Sequence, residues 1–226
     1  MSHKTSLQGN KHPKQDFQVE RIAFFSDAVF AIAITLLVIE FHPPHVTKET
    51  TVGEIWAELA HMKYKLAALL ISFALIVGYW MRHHVIFKHL HNYNRQIVLA
   101  NMWSLLPMIF FPFTTSFMYE SLAADEEVLA IPFRLFLLTN ILSGISTYYL
   151  FYLTTRKYKQ YSYTMEPEAK YDFEIKLLVM TISFVIVFLL SFVTLKYAAY
   201  GLIPLVIVNF HKRFFKKSNT KIANAK

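Results

Sequence analysis

Six runs of apolar residues alternate with polar, charged segments along the chain: residues 22–39, 65–81, 97–118, 128–152, 175–195 and 197–210. About 20 helical residues cross the roughly 30 Å of hydrocarbon in a bilayer, so the first five runs predict spanning helices by length. The sixth is short and holds Gly201 and Pro204, and its periodicity decides nothing. Within the first run Ile32, Leu36 and Ile39 recur at i, i+4 and i+7, and Phe25 falls in phase with them. Asp27 of the same helix points about 140° away from Ile32. The segment 41–62 opens with Pro43-Pro44 and predicts a loop carrying a short amphipathic helix over 52–61. The loop 156–173 is polar and mixed in charge, and no internal repeat divides the chain. Residues 1–17 and 218–226 read as solvated, and no cleavable signal sequence is expected ahead of the first span.

Composition turns these runs into a fold class. The 226 residues are 55% hydrophobic and 17% charged, where a soluble domain carries about 25% charge. With a mean hydropathy of +0.35, this is the composition of an all-α polytopic integral membrane protein. The absence of Cys excludes disulfides, thiolate nucleophiles and Cys-ligated metals.

The net charge of +8 does not point to nucleic acid, because the basic residues are sorted by side. In an alternating topology, 18 of the 23 Lys and Arg fall on one face: the N-terminal segment, the 2–3 and 4–5 loops, and the tail from Lys212. The positive-inside rule then places both termini in the cytoplasm. If the sixth run did not span, the six basic residues of the tail would lie outside, so the charge asymmetry favours six spans. The expected organisation is a cytoplasmic segment over 1–20, a six-helix membrane domain over 21–212 and a basic tail over 213–226.

A carboxylate near a helix centre costs about 2.5–3.5 kcal/mol to insert, so Asp27 needs partners from other helices. Ser26 stands beside it, and Arg21 sits at the membrane edge. Trp80, His83 and His84 at the end of span two and Asn101 early in span three lie at the same expected depth. An acid turned away from the apolar stripe is placed to lock helices together rather than to line a path.

Arg21-Ile22-Ala23-Phe24-Phe25-Ser26-Asp27 reads R-x-x-x-F-S-D at the start of the first span. With Trp80-Met81-Arg82-His83-His84 in span two, and Asn101 and Pro112-Phe113-Thr114-Thr115 in span three, it closely resembles the bacterial members of the transmembrane protein 175 family. These are relatives of the lysosomal potassium channel. The resemblance, over about residues 18–212, implies a homotetramer in a bacterial inner membrane, with a pore lined by four copies of span one. It implies a hydrophobic constriction at Ile32, further apolar rings at Leu36 and Ile39, and a role for Thr35 in a modest preference for potassium over sodium. Arg21, Phe25, Ser26 and Asp27 would pack span one against spans two and three.

The function this implies is passive conduction of monovalent cations, with potassium as the permeant ion, no cofactor and no bound metal. No carbonyl filter is expected: Thr51-Val52-Gly53 lies in an outer loop, and the carbonyls of Val77-Gly78-Tyr79 are committed within a helix. Selection would rest on apolar rings that gate by dewetting, with Glu40 at the outer mouth concentrating cations. A secondary transporter would call for inverted repeats and polar groups at the midplane, and neither is present in span one. A membrane-embedded metal enzyme would draw on His83, His84, His89 and His91. His42, His45 and His61, however, fall on the opposite face, about 30 Å away, and no second histidine box converges on the cluster.

Overall fold

The computed structural model describes residues 13–43, 46–122 and 124–198. Helix α1 runs Pro13–Ile39, α2 Val52–Lys88, α3 Arg95–Glu120, α4 Glu126–Tyr152, α5 Pro167–Leu190 and α6 Leu195–Ala198. Among these described residues, five helices are long and apolar enough to cross a membrane. The sixth expected span, 197–210, lies outside the described residues apart from its first two positions, as does the basic tail.

The expectation of a separate short helix over 52–61 is overturned, because α2 is continuous from Val52. Thr51 opens it with a capping box in which its hydroxyl accepts from the Glu54 amide and the Glu54 carboxylate accepts from the Thr51 amide. Between Glu54 and Gly78 no Pro or Gly occurs, and Lys63 and Lys65 interrupt hydropathy without interrupting helicity. The 37 residues reach about 55 Å, more than the hydrocarbon of a bilayer needs. Helix α1 likewise begins nine residues before its apolar run. Helix α4 leaves the α conformation through a wide π turn at Leu153–Lys157.

Helix α3 packs against α1, α2 and α4, and α4 carries α5 on its other side. About half of the apolar stretches of α3 and α4 is covered, against roughly a quarter for α1, α2 and α5. The centre of the bundle joins Phe30 and Leu37 of α1, Ile76 and Tyr79 of α2, Met108 and Phe111 of α3, Phe136 of α4 and Phe184 of α5. At one end, the 2–3 and 4–5 loops are stitched together. The His91 and Asn92 amides donate to the Tyr161 carbonyl, and the Tyr163 amide donates to His89 (2.9, 3.2 and 2.7 Å). At the other end, Lys65 pairs with Glu120 at 2.9 Å, and the Tyr119 hydroxyl donates to the Glu40 carbonyl.

Two contacts fix α5 on α4. Arg134, the basic residue inside α4, donates to the Ser191 carbonyl (2.8 Å) and hydroxyl (3.2 Å) and lies 4.1 Å over the Phe192 ring. It thereby satisfies a carbonyl at the C-terminus of α5, where a cation is favoured. Further along, a Cβ on Gly144 would stand 2.2 Å from Thr181 Oγ1 and 3.0 Å from its Cβ and Cγ2. Gly144→Ala is therefore expected to cost about 1–3 kcal/mol by overpacking. Thermal unfolding of the purified protein checks this, and G144A/T181A should recover part of the loss. A G144A protein as stable as the parent would show that the two helices are not held this close.

Candidate functional site

The buried and exposed positions of α1 divide it lengthwise. Ser26, Phe30, Ala33 and Leu37 recur at helical spacing and are buried against the bundle, Leu37 to 2% exposure. Phe25, Ala28, Ile32, Thr35 and Ile39 lie on the uncovered side, with Ile32 at 57% and Ile39 at 67% exposure. Leu36 stands at the edge of that face, half-buried. With Val29, Ile32, Ala33 and Ile109 of α3 it lines an apolar groove of about 200 Å³. Thr35 donates its hydroxyl proton to the Ile32 carbonyl at 2.9 Å, which leaves the oxygen lone pairs of Thr35 available on the exposed face. Glu40 caps the stripe just beyond the helix end, held through its backbone by Leu36 and Tyr119.

Behind this face lies a polar network that ties three helices. The Ser26 hydroxyl donates to the Ile22 carbonyl (2.9 Å), so its oxygen accepts from Asn101 Nδ2 (2.9 Å). That orientation turns Asn101 Oδ1 toward His83 Nε2 at 2.7 Å, and the acceptor on Asn101 requires the proton to sit on Nε2. The His83 ring stacks on Phe87 at 4.5 Å and meets Phe30 at 5.4 Å, so one imidazole is clamped by α1 and α2 together. Ser26 and Asn101 are fully buried and His83 nearly so. Asp27 is outside this chain of bonds. It sits half-exposed on the flank facing α2, where the Trp80 indole donates to its Oδ1 at 2.9 Å. His84 lies against Trp80, ring centroids 6.0 Å apart.

The structure thus brings together Ser26, Asn101 and His83 as one unit, and Asp27, Trp80 and His84 as a second beside it. It does not bring Arg21 and Phe25 into either. Both are exposed and, with Gln18, Ile22, Tyr93 and Met102, line a surface cavity of about 410 Å³ near the start of the first span. His89 is bonded to the Val85 carbonyl and His91 lies by Tyr163, so the four histidines face different partners. Among the described residues, no three His, Asp or Glu side chains converge as a metal site would require.

A second α2–α3 tie was not read from the sequence. Thr115 and Ser72 share a buried hydroxyl bond of 2.8 Å. The available signal was a small polar residue within each apolar run. Gly78, the glycine of Val77-Gly78-Tyr79, is helical, and its carbonyl accepts from Arg82 at 2.8 Å.

Residues 21–112 match the protein family described as endosomal/lysosomal potassium channel TMEM175. A potassium channel of Chamaesiphon minutus is 38% identical over 118 residues, which are 52% of this chain and 57% of that protein. The endosomal/lysosomal proton channel TMEM175 of Homo sapiens is 34% identical over 91 residues, 38% of this chain and 18% of that protein. The crystal structure of a lysosomal potassium-selective channel TMEM175 homologue from Chamaesiphon minutus shares the fold, with a TM-score of 0.68 and 26% identity. It covers 86% of this chain and 96% of that one. The chain spans about half the length of the curated bacterial relatives it matches. The matched family is one of ion channels and not of enzymes. The matched stretch contains the whole Ser26–Asn101–His83 unit and the uncovered face of α1.

Proposed function

We propose that this chain, a relative of the TMEM175 channels, is the subunit of a passive cation channel that prefers potassium modestly over sodium. Four copies surround a pore lined by the uncovered face of α1, with Ile32 as the constriction, Leu36 and Ile39 as further apolar rings, and Glu40 at the outer mouth. The observation that carries the reading is the lengthwise division of α1. A helix tied into its bundle by Ser26, Phe30, Ala33 and Leu37 leaves Ile32, Thr35 and Ile39 exposed among the described residues.

An apolar ring resists wetting, so an ion passes it partly dehydrated. Potassium gives up its water more readily than sodium, and the free lone pairs of Thr35 stand one turn beyond Ile32 to replace part of the lost hydration. The buried units behind α1 hold the ring positions in register. The 2–3 and 4–5 loops, stitched to each other and rich in Lys and Arg, belong on the cytoplasmic side of the bacterial inner membrane by the positive-inside rule.

Purified protein in liposomes should release potassium down its gradient with no counter-transported ion, and sodium more slowly. Flux that requires a second, oppositely directed ion would replace the channel by a transporter. Thr35→Ala should move the reversal potential under mixed potassium and sodium toward the unselective value. An unchanged reversal potential would remove Thr35 from ion selection.

A further inference from the structure

A cavity of about 580 Å³ opens where α4 unwinds into the π turn and the chain returns to α5. Buried Thr154 and Met165 form its floor, and Lys159, exposed at the rim, and half-buried Lys170 bring two ammonium groups to it. No carboxylate lines it among the described residues. The Lys170 ammonium donates to the Thr155 carbonyl at 3.3 Å, which uses one of its three protons and leaves two. Lys159 makes no side-chain bond among the described residues, so its whole charge is available. The Ser162 hydroxyl oxygen, also on the lining, is withdrawn from solvent without a hydrogen-bond partner.

The surroundings are of a different kind. Arg156 is neutralised by Glu174 at 2.6 Å and Lys176 by Asp172 at 2.6 Å, and Lys157 bonds Gln96 at 3.3 Å. Arg156 and Lys176 thus have carboxylate partners outside the cavity, whereas no carboxylate lines the cavity beside Lys159 and Lys170 among the described residues. The depth is that of the membrane interface. The apolar run of α4 ends at Tyr152, and Tyr158 and Tyr161 stack beside the turn, as aromatic side chains do at headgroup level.

We propose that this cavity binds a phosphate group, carried by an anionic phospholipid headgroup or free in solution, through Lys159, Lys170 and the Ser162 hydroxyl. Two ammonium groups without a carboxylate select an anion, and a hydroxyl donor lacking a partner selects one with several acceptor oxygens. Basic pockets between spans on the inner membrane face are suited to such headgroups. The site is separate from the α1 face and does not depend on what the pore conducts.

The test is thermal unfolding of the full chain with phosphatidylglycerol, with phosphatidylcholine and with inorganic phosphate. A ligand that binds only the folded protein raises the unfolding midpoint. Phosphatidylglycerol should raise it, phosphatidylcholine should not, and K159Q/K170Q should need at least about tenfold more lipid for the same rise. The charge-matched control K157Q/K176Q should respond like the parent. An equal rise with inorganic phosphate would identify free phosphate as the source, and a rise with phosphatidylglycerol alone the headgroup. If K159Q/K170Q fails to fold, K159Q alone, at the exposed rim, should show a smaller loss in the same direction. No rise with either probe, or equal responses from the cavity variants and the control, would overturn the proposal.

Discussion

Replacing Ile32 by asparagine is expected to raise potassium flux about tenfold or more and to lower the preference for potassium over sodium. A factor of ten corresponds to about 1.4 kcal/mol off the barrier. If four side chains form the ring, each must contribute only about 0.35 kcal/mol, less than one hydrogen bond to a passing ion or its water. Asparagine supplies a carbonyl oxygen where isoleucine supplies none, so the ring wets and the ion keeps more of its shell. The position tolerates the change because Ile32 is exposed within the chain and the packed side of α1 is untouched. Flux through liposomes holding equal amounts of parent and variant measures it, and unchanged flux would remove Ile32 from the gate.

Asn101→Leu is expected to destabilise the described membrane bundle more than any change at Asp27. It removes the bonds to His83 and Ser26 together and leaves His83 Nε2–H buried without an acceptor. A stranded buried group costs about 1–3 kcal/mol, although bonds between membrane helices average only about 0.6 kcal/mol. With two bonds lost and one donor stranded, about 2 kcal/mol follows. Asp27→Ala loses only the Trp80 bond at a half-exposed site and should cost about a third of that. Thermal stability and retention of the oligomer on gel filtration should rank N101L well below D27A. The reverse order would return the anchoring role to Asp27.

That ranking differs from what the sequence alone suggests, for a physical reason. Insertion cost singles out Asp27 because it is the charged residue, and says nothing about which neutral side chains meet it. Ser26, Asn101 and His83 were all legible as polar residues at one depth, but the Ser26–Asn101 bond joins positions 75 residues apart. Which face of α1 is buried was equally open. The 3.6 period gives two stripes, and only packing shows that Phe30, Ala33 and Leu37 take the inner one. Leu36 illustrates the difference. In phase with Ile32 and Ile39 by sequence, it turns halfway into the groove beside Ile109.

The spans themselves were legible because long apolar runs have few alternatives in a bilayer. The reach of α2 was not, since hydropathy stops at the lysines while the helix, with its capping box at Thr51 and Glu54, does not. The Arg134–Ser191 clasp and the phosphate cavity depend on where chain ends and turns meet, which no local pattern encodes.

The chain has no cysteine, so single cysteines can be placed along α1 without background. Ile39→Cys, Thr35→Cys and Ala33→Cys, each in liposomes conducting potassium, should be exposed to a membrane-impermeant thiol reagent bearing a quaternary ammonium. If the uncovered face of α1 lines a water-filled cation path, the reagent blocks flux at Ile39 and at Thr35. It leaves Ala33, buried against the bundle, unaffected. Flux untouched by the reagent at both Ile39 and Thr35 would mean that this face meets lipid or protein, and that the ion path runs elsewhere.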